Sequence, residues 1–228
     1  MHAEFISVLA HELKAPLGAI EGYLRMLRDH SAGDDPAVYD QMIDRSLIRL
    51  EAMRKLITDL LDMTRIELGT RKRKMAEMDA RDVARAAIET MSAEAAAANV
   101  TLCLATPDPQ PMIADRGEIE FILNNLISNA VKYNRPDGRA DVKITGDAQT
   151  VTIQVTDTGI GLAPQDADRL FHDFVRIKNE QTRSILGSGL GLSIVRKLAA
   201  LYGGSATVAS QQGVGSTFTV TLRRRNEK

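Results

Sequence analysis

Three polar side chains recur at helical spacing within residues 118–133, EIEFILNNLISNAVKY. Asn125, Asn129 and Lys132 are four and three residues apart, so a helix would stack them one turn apart along one face. An amide oxygen can ligate a hard cation such as Mg²⁺, and a lysine ammonium can contact a phosphate. The spacing predicts a site for a magnesium-bound polyphosphate, and a plain solvated helix face would show the same spacing.

Two glycine motifs could serve the same ligand. DTGIG, at 157–161, follows a predicted strand directly, and GSGLGL, at 187–192, opens a predicted helix. Glycines let a backbone approach phosphates closely, and a helix N-terminus offers free N–H groups to an anion. Each motif alone also occurs as a turn or a packing device. A third motif, GVGSTF at 213–218, by itself predicts only a tight hairpin turn.

A histidine near the N-terminus is a candidate nucleophile. His11 lies two positions from both Leu9 and Leu13 in a predicted helix over about 3–28, roughly 200° around the axis from that apolar seam. It is therefore predicted to be exposed. Pro16 lies inside the same helix, removes one backbone hydrogen bond and should bend the axis one turn after His11.

Composition excludes several classes of protein. The chain has 228 residues and a formal net charge of −1, so electrostatics gives no argument for a nucleic acid or an anionic membrane as partner. Cys103 is the single cysteine, which excludes an intramolecular disulfide and fits a reducing compartment. The sequence contains no apolar run near the roughly 18 residues of a membrane span and no signal peptide. The abrupt start in a helical pattern suggests a piece of a longer protein.

The elements that must position these residues fall into two domains. A second predicted helix over about 37–68 follows the first after a short loop, which gives an antiparallel hairpin. One hairpin leaves much apolar surface in water, so we predict a homodimer that forms a four-helix bundle. The charged segment 69–74, GTRKRK, is interpreted as the linker. The predicted domains are 1–73, the helical hairpin, and 74–228, an α/β sandwich.

The second predicted domain mixes helices and strands, which makes the fold class α+β. Its strands and helices suggest one sheet covered on one face by helices. The helix over about 80–98 should be N-capped near Asp79. The predicted strands are 75–78, 100–104, 111–114, 141–145, 150–156, 205–210 and 216–223, and the remaining helices are 118–133 and 190–202.

Taken together, six motifs in order resemble the bacterial sensor histidine kinases. HELKAPL at 11–17 is similar to their H box, and NLISNAVKY at 125–133 to their N box. DTGIG, LFHDFVR at 170–176, GSGLGL and GVGSTF are similar to the G1, F, G2 and G3 boxes. The resemblance covers essentially the whole chain and implies a dimerisation and histidine-phosphotransfer hairpin. After it comes the ATP-binding sandwich shared with DNA gyrase, mismatch-repair and heat-shock chaperone ATPases.

The resemblance also implies roles for particular residues. His11 would take the γ-phosphoryl group of ATP on a ring nitrogen, with Glu12 accepting or orienting the proton on the other. Asn129 would ligate Mg²⁺, and Asp157 would accept the adenine amino group. Arg176, in a lid over 158–186, is a candidate to stabilise transferred charge or simply a solvated lid residue. The other implied nucleotide contacts are Asn125, Lys132, Tyr133, Gly159, Gly161, Gly187, Gly189, Leu190, Gly191 and Thr217.

Two positions depart from the family pattern. Ala15, one turn after His11, stands where these kinases often carry Thr or Asn, the side chain implicated in positioning water for phosphatase activity. An alanine cannot orient water, so we expect weak phosphatase activity. Phe121, one turn before Asn125, stands where related ATPases carry a glutamate base. Phenylalanine cannot activate water, which favours transfer to His11 over ATP hydrolysis.

The resemblance implies partners that the chain does not contain. They are a response regulator receiver domain, whose aspartate would take the phosphoryl group, a second copy of the chain and an upstream sensor domain. The expected location is cytoplasmic, with a tether to a membrane sensor upstream and no membrane or nucleic-acid contact by this segment. Two alternatives stay open: a silent scaffold that binds nucleotide and dimerises, and an ATP-hydrolysing conformational switch.

Overall fold

The fold begins with two long antiparallel helices, followed by an α/β sandwich over 75–223. The computed structural model describes residues 2–225 except 34, 107, 168, 178, 180, 181, 183, 184 and 186, and for 2–5 the backbone only. In chain order the elements are α1 His2–Arg28, α2 Pro36–Glu67, β1 Met75–Asp79, α3 Ala80–Ala97, β2 Thr101–Ala105, β3 Pro111–Asp115, α4 Arg116–Lys132, β4 Arg139–Gly146, β5 Thr150–Asp157, α5 Pro164–Ala167, α6 Gly191–Leu201, β6 Ser205–Gln211 and β7 Gly215–Arg223.

Local chemistry sets where several helices begin. Asp35 caps α2 by accepting the Ala37 N–H at 2.9 Å, and Pro36 takes the first helical position, where a missing N–H costs nothing. The predicted cap of α3 is confirmed, because Asp79 accepts the Arg81 N–H at 2.9 Å. Asp115 caps α4 in the same way. The helices and strands predicted from the sequence begin and end within a few residues of the observed ones.

The main sheet has the strand order β2-β4-β5-β7-β6 in the described chain, antiparallel except for the parallel pair β2 and β4. Inward residues alternate along each strand, and β5 buries Val151, Ile153 and Val155. These side chains meet a core formed with α3, α4 and α6. The intervening positions carry Thr and Gln on the open face, so the prediction of helices on one face of the sheet is confirmed.

Strands β1 and β3 form a separate two-stranded antiparallel sheet. The prediction that all strands belong to one sheet was wrong. Alternation of apolar and polar residues identifies a strand but not its partner, because pairing is a long-range choice. The short helix α5 was not predicted, since its four residues are too few for a periodic pattern.

The segment between α2 and β1, which contains the predicted boundary between 73 and 74, is held at several points. Arg73 donates three hydrogen bonds from two of its N–H groups to Glu118 at the start of α4, at 2.9–3.1 Å, and lies over the Tyr202 ring at 4.5 Å. Arg71 lies 3.5 Å from both Asp62 of α2 and Glu118. Glu118 is fully buried. One buried carboxylate therefore anchors the linker to α4.

The hairpin exposes a stripe of apolar side chains. On α2, positions 43, 47, 50, 54, 57 and 61 recur at alternating four- and three-residue steps and share one helix face. Position 54 is arginine. The other five are 44–58% exposed, and we call them the exposed stripe: Ile43, Leu47, Leu50, Ile57 and Leu61.

From the sequence alone, the apolar seam predicted for α2 is Ile43, Leu47, Leu50, Met53, Ile57 and Leu60, and it differs from this stripe at two places. Leu60 packs partly buried against the main core, and Met53 is half-buried, so both turn away from water.

No helix in the described chain combines the length and low charge that a membrane span requires.

Candidate functional site

A pocket opens between α4, the ends of β5 and β7, and the glycine segment 187–191. Most of the site residues predicted from the sequence line this pocket. They belong to segments between residues 125 and 191, which lie up to 66 positions apart along the chain. The members that were predicted are Asn125, Asn129, Lys132, Tyr133, Asp157, Gly161, Arg176, Gly187, Gly189 and Gly191. Two motifs that are separately weak thus meet at one cavity.

Helix α4 presents its polar residues to the pocket while its apolar residues are buried. Ile122 and Leu126 are fully buried, which fixes the rotation of the helix. Asn125 donates its Nδ2 to the Phe121 carbonyl at 2.9 Å, and its Oδ1 faces the Cα of Gly191. The amide oxygen of Asn125 therefore lies against the glycine segment.

Asp157 lies at the end of β5 and is buried. Its Oδ1 accepts the Gly159 N–H at 2.8 Å and the Ser216 N–H at 3.3 Å. Burial raises the pKa of this carboxyl above its ordinary value, although the two backbone hydrogen bonds oppose the change. A Cβ on Gly159 would collide with the Tyr133 carbonyl, so the DTGIG turn needs glycine to close against α4.

The glycine segment leads into α6. Gly189 has φ +71°, and a Cβ there would lie 2.8 Å from the Phe174 backbone. Leu190 is fully buried and occupies the N-cap position of α6, where its side chain makes no capping hydrogen bond. The Ser188 hydroxyl instead accepts the Leu190 N–H at 3.2 Å. This end of α6 therefore has N–H groups close to the pocket, as anion binding requires.

Tyr133 and Arg176 lie close together at the pocket. Burial raises the pKa of the Tyr133 hydroxyl, and the positive charge of Arg176 opposes that change. Arg176 donates a hydrogen bond to the Ile185 carbonyl, so it ties two parts of the predicted lid together. Part of that lid, 158–186, falls outside the described residues.

Thr217 does not face the pocket, contrary to the sequence-based expectation. Its hydroxyl lies 3.1 Å from the Thr156 hydroxyl on the open face of the sheet. Side chains alternate along β7, so Ser216 and Phe218 line the pocket in its place. The GVGSTF motif therefore reaches the pocket through Ser216 and Phe218, and the neighbouring Thr217 lies on the opposite face of the strand.

His11 and Glu12 are not among the described residues that line the pocket. His11 is exposed on α1, as predicted, and Glu12 is half-buried. Ala15 is exposed one turn further along, and Pro16 lies within the continuous helix. The nucleophile candidate and the pocket are therefore separate in this arrangement of the two domains.

Sequence reasoning missed two site residues on α2. Lys55 lines the pocket, and Asp59 accepts a hydrogen bond from Ser188 at 2.8 Å. Ser188 was inside a recognised motif but had no assigned role. Nothing in the sequence around Lys55 or Asp59 pointed to this contact, because 129 residues separate Asp59 from Ser188.

The donor set at the pocket fits a metal carried by a polyphosphate. The described residues contain no group of three or more His, Cys, Asp or Glu side chains that could hold a metal ion. Amide oxygens on α4 are neutral, hard ligands of the kind that complement a Mg²⁺ already bound to phosphates. Asn125 and Asn129 are the α4 side chains with this chemistry that line the pocket.

The fold is a helical hairpin joined to an α/β sandwich that contains the pocket, and comparisons with known proteins assign a family to each part. Residues 114–226 match the family model of the histidine kinase-, DNA gyrase B- and HSP90-like ATPases. Residues 1–69 match the His Kinase A (phospho-acceptor) domain. The chain therefore belongs to the sensor histidine kinases and contains the two domains of their catalytic core.

Individual relatives extend this result. Histidine protein kinase DivJ of Caulobacter vibrioides is 34% identical over 224 residues, which are 96% of this chain and 37% of DivJ. Full-length ShkA in complex with AMPPNP has a TM-score of 0.70 and 27% identity over 98% of this chain and 46% of ShkA. ThkA in complex with the response regulator protein TrrA shares the fold, with a TM-score of 0.79 and 21% identity over 99% of this chain and 62% of ThkA.

The chain is shorter than its curated relatives. It spans 28% of the length of one curated relative and 56% of another. What the whole protein does and binds is therefore a proposal.

Proposed function

We propose that this chain is the catalytic core of a two-component sensor kinase that phosphorylates its own His11 from ATP. The γ-phosphorus to oxygen bond of ATP breaks, a phosphorus to nitrogen bond forms to a ring nitrogen of His11, and ADP leaves. Glu12 takes or orients the proton on the other ring nitrogen. The phosphoryl group then passes to an aspartate of a response regulator receiver domain.

The observation that carries this proposal is the convergence of Asn125, Asn129 and Lys132 with two glycine motifs at one pocket. In this proposal Asp157, which lines the other end of the pocket, would accept the adenine amino group, and Tyr133 would pack on the base. Asn129 and Asn125 would hold the Mg²⁺ that accompanies the triphosphate and neutralises its charge. Arg176, which also lines the pocket, would stabilise the transferred charge.

Transfer needs a movement of the sandwich relative to the hairpin, because His11 does not line the pocket. The exposed side of α1 around His11 is also the surface offered to the receiver domain. ThkA, a protein of the same fold, has been solved with a response regulator, which supports this class of partner.

The carboxylates of α4 favour a kinase over an ATP hydrolase. Glu118 is buried and bonded to Arg73 and Tyr202, and Glu120 pairs with Arg116 at 2.7 Å. Phe121 lies one turn before Asn125 and packs against the core. None of these three residues is available to activate a water molecule.

The remaining parts of the proposal concern assembly and context. The exposed stripe of α2 would be covered in a homodimer through 1–73, with 74–228 as the catalytic domain. An upstream sensor would regulate the core from residues outside this chain, and the core would work in the cytoplasm.

The test is incorporation of γ-labelled phosphate from ATP and Mg²⁺ into the purified chain. We expect acid-labile label in the unmodified chain and none in His11→Ala or Asn129→Asp. Tight ATP binding with no label, even after addition of candidate sensor domains, would instead establish a silent scaffold. Steady release of inorganic phosphate without label would establish a hydrolase.

A second experiment addresses dephosphorylation of the partner. Because Ala15 cannot orient water, the unmodified chain with ADP should dephosphorylate its regulator slowly, and Ala15→Thr should be faster. Equal rates for the two proteins would contradict the proposed weakness of the phosphatase activity.

A further inference from the structure

Lys55 lines the nucleotide pocket although it belongs to the helical hairpin. Its Nζ lies 3.4 Å from Asp59 Oδ1, one turn further along α2, and its side chain is about half exposed. An ammonium group on a four-carbon stem can reach several ångströms from such an anchor. The pocket therefore receives a positive charge from outside the sandwich.

Asp59 is the buried residue that contacts both Lys55 and the glycine segment. Its side chain is 3% exposed, and its second oxygen, Oδ2, accepts the Ser188 hydroxyl at 2.8 Å. A carboxylate so far removed from water needs partners for both oxygens, and Lys55 and Ser188 supply them. Since Ser188 also accepts the Leu190 N–H, one buried carboxylate holds a pocket cation and the glycine segment together.

The location of Lys55 within the pocket follows from its neighbours. Ser188 is three residues before Gly191, whose Cα faces Asn125 Oδ1. This end is where the proposed function places the phosphates, whereas Asp157, Ser216 and Phe218 form the other end. A cation at the phosphate end interacts with polyphosphate charge and hardly with a nucleoside.

We propose that Lys55 is a phosphate-contacting residue of the nucleotide site, and that Asp59 is a positioning residue that holds Lys55 and Ser188 in place. This inference rests on the proposed nucleotide site. Bound ATP then contacts both domains at once, so the occupancy of the phosphate end depends on where the hairpin lies. At the adenine end, Asp157, Ser216 and Phe218 all belong to the sandwich, so that end does not share this dependence.

The test compares the affinities of a non-hydrolysable ATP analogue and of adenosine for the full chain by calorimetry. Lys55→Gln should weaken binding of the analogue about tenfold, as expected for loss of one charge-assisted contact, and leave adenosine binding unchanged. Lys55→Arg keeps the charge and should retain most of the affinity. Arg45→Gln removes an exposed cation from the same helix, outside the pocket, and should change neither affinity.

The outcomes separate this inference from the proposed function. If Asn129→Asp abolishes analogue binding but Lys55→Gln binds as tightly as the unmodified chain, Lys55 does not contact phosphate and only this inference fails. If the unmodified chain binds neither analogue nor adenosine, the nucleotide site itself is refuted, and this inference with it.

Asp59 is tested through its coupling to Lys55. Asp59→Asn should weaken the analogue but not adenosine, and the double variant should lose little more than either single variant, because both changes remove one contact. Losses that add in full, or a loss of adenosine binding in Asp59→Asn alone, would show that Asp59 supports the fold independently and does not position Lys55.

Discussion

The hairpin and the sandwich bury their apolar residues to very different extents. In the sandwich, Ile119, Leu123 and Leu126 are fully buried, and the alternating residues of β5 meet them across one core. In the hairpin, the exposed stripe leaves five large aliphatic side chains about half in water. The sandwich can complete its core within one chain, whereas the hairpin needs another surface to do so.

This difference matches the tasks proposed for the two regions. A nucleotide pocket requires side chains held in fixed positions, and a closed core of fully buried residues provides them. A phosphotransfer helix must accept different partners, and an open helical surface allows that. The contrast can be tested by substitution, beginning with the change of largest expected effect.

Truncation inside the sandwich core should be the most damaging change. Leu123→Ala removes a fully buried side chain, so the free energy of unfolding should fall by about 3 kcal/mol. Val214→Ala, at an exposed site of the same domain, should change it by less than about 0.5 kcal/mol. Urea unfolding followed by circular dichroism measures both. Similar losses at both positions would mean that the sandwich is not closed as described.

A charge in the exposed stripe should affect assembly and leave the sandwich folded. Leu47→Glu places two like charges in the proposed symmetric interface, so the dimer dissociation constant should rise about a hundredfold. Leu68→Glu, the same change at the exposed end of α2, should have little effect. Sedimentation over a range of concentrations distinguishes the two. A monomeric unmodified chain would remove the dimer from the proposal.

Loss of the contacts between the linker and Glu118 should lower the free energy of unfolding by an intermediate amount. Glu118→Gln leaves Arg71 and Arg73 beside a neutral amide, and because both arginines keep some contact with water the loss should be about 2 kcal/mol. Glu120→Gln is the matched control on the same helix, where an exposed pair contributes less than about 1 kcal/mol. Thermal unfolding of the two variants side by side would decide it, and equal midpoints would contradict the anchor.

The cap of α3 should give the smallest effect and a pH dependence of defined sign. Hydrogen bonds from Arg81 and from the Gln110 N–H outweigh burial and lower the pKa of Asp79 below its ordinary value of 3.8. The ionised cap therefore stabilises the fold above pH 3.8, and this contribution is lost as pH falls through the lowered pKa.

Asp79→Ala should thus cost about 1 kcal/mol at neutral pH. The difference from the unmodified chain should shrink in strong acid. Asp79→Asn keeps a cap without the charge, and serves as the pH-independent reference. A difference that grows on acidification would show that the sign of the pKa change is wrong.

Sequence was informative where chemistry is local. The cap at Asp79 and the rotation of α4 follow from a few neighbouring residues, so Asn125 and Asn129 could be placed on one helix face from their spacing alone. The glycine motifs likewise located the pocket, since strand ends and helix starts meet at the same edge of a sandwich.

Sequence was uninformative where a choice depends on distant partners. The face of β7 that meets the pocket is set by pairing register, which is why Ser216 lines it and Thr217 does not. The burial of Glu118 depends on Arg73, 45 residues away, and on Tyr202, 84 residues away. Lys55 and Asp59 reach the site only through the packing of one domain on another. None of these contacts leaves a periodic signal in the chain.

The anchored linker has a mechanical consequence. A flexible linker would let the two domains rotate independently. The segment after α2, however, contacts Asp62, Glu118 and Tyr202 within a few residues. Glu118 lies in the first turn of the helix that carries Asn125 and Asn129. A rotation of α2 about its own axis would therefore turn α4 as well, and with it the Asn125 and Asn129 side chains that line the pocket.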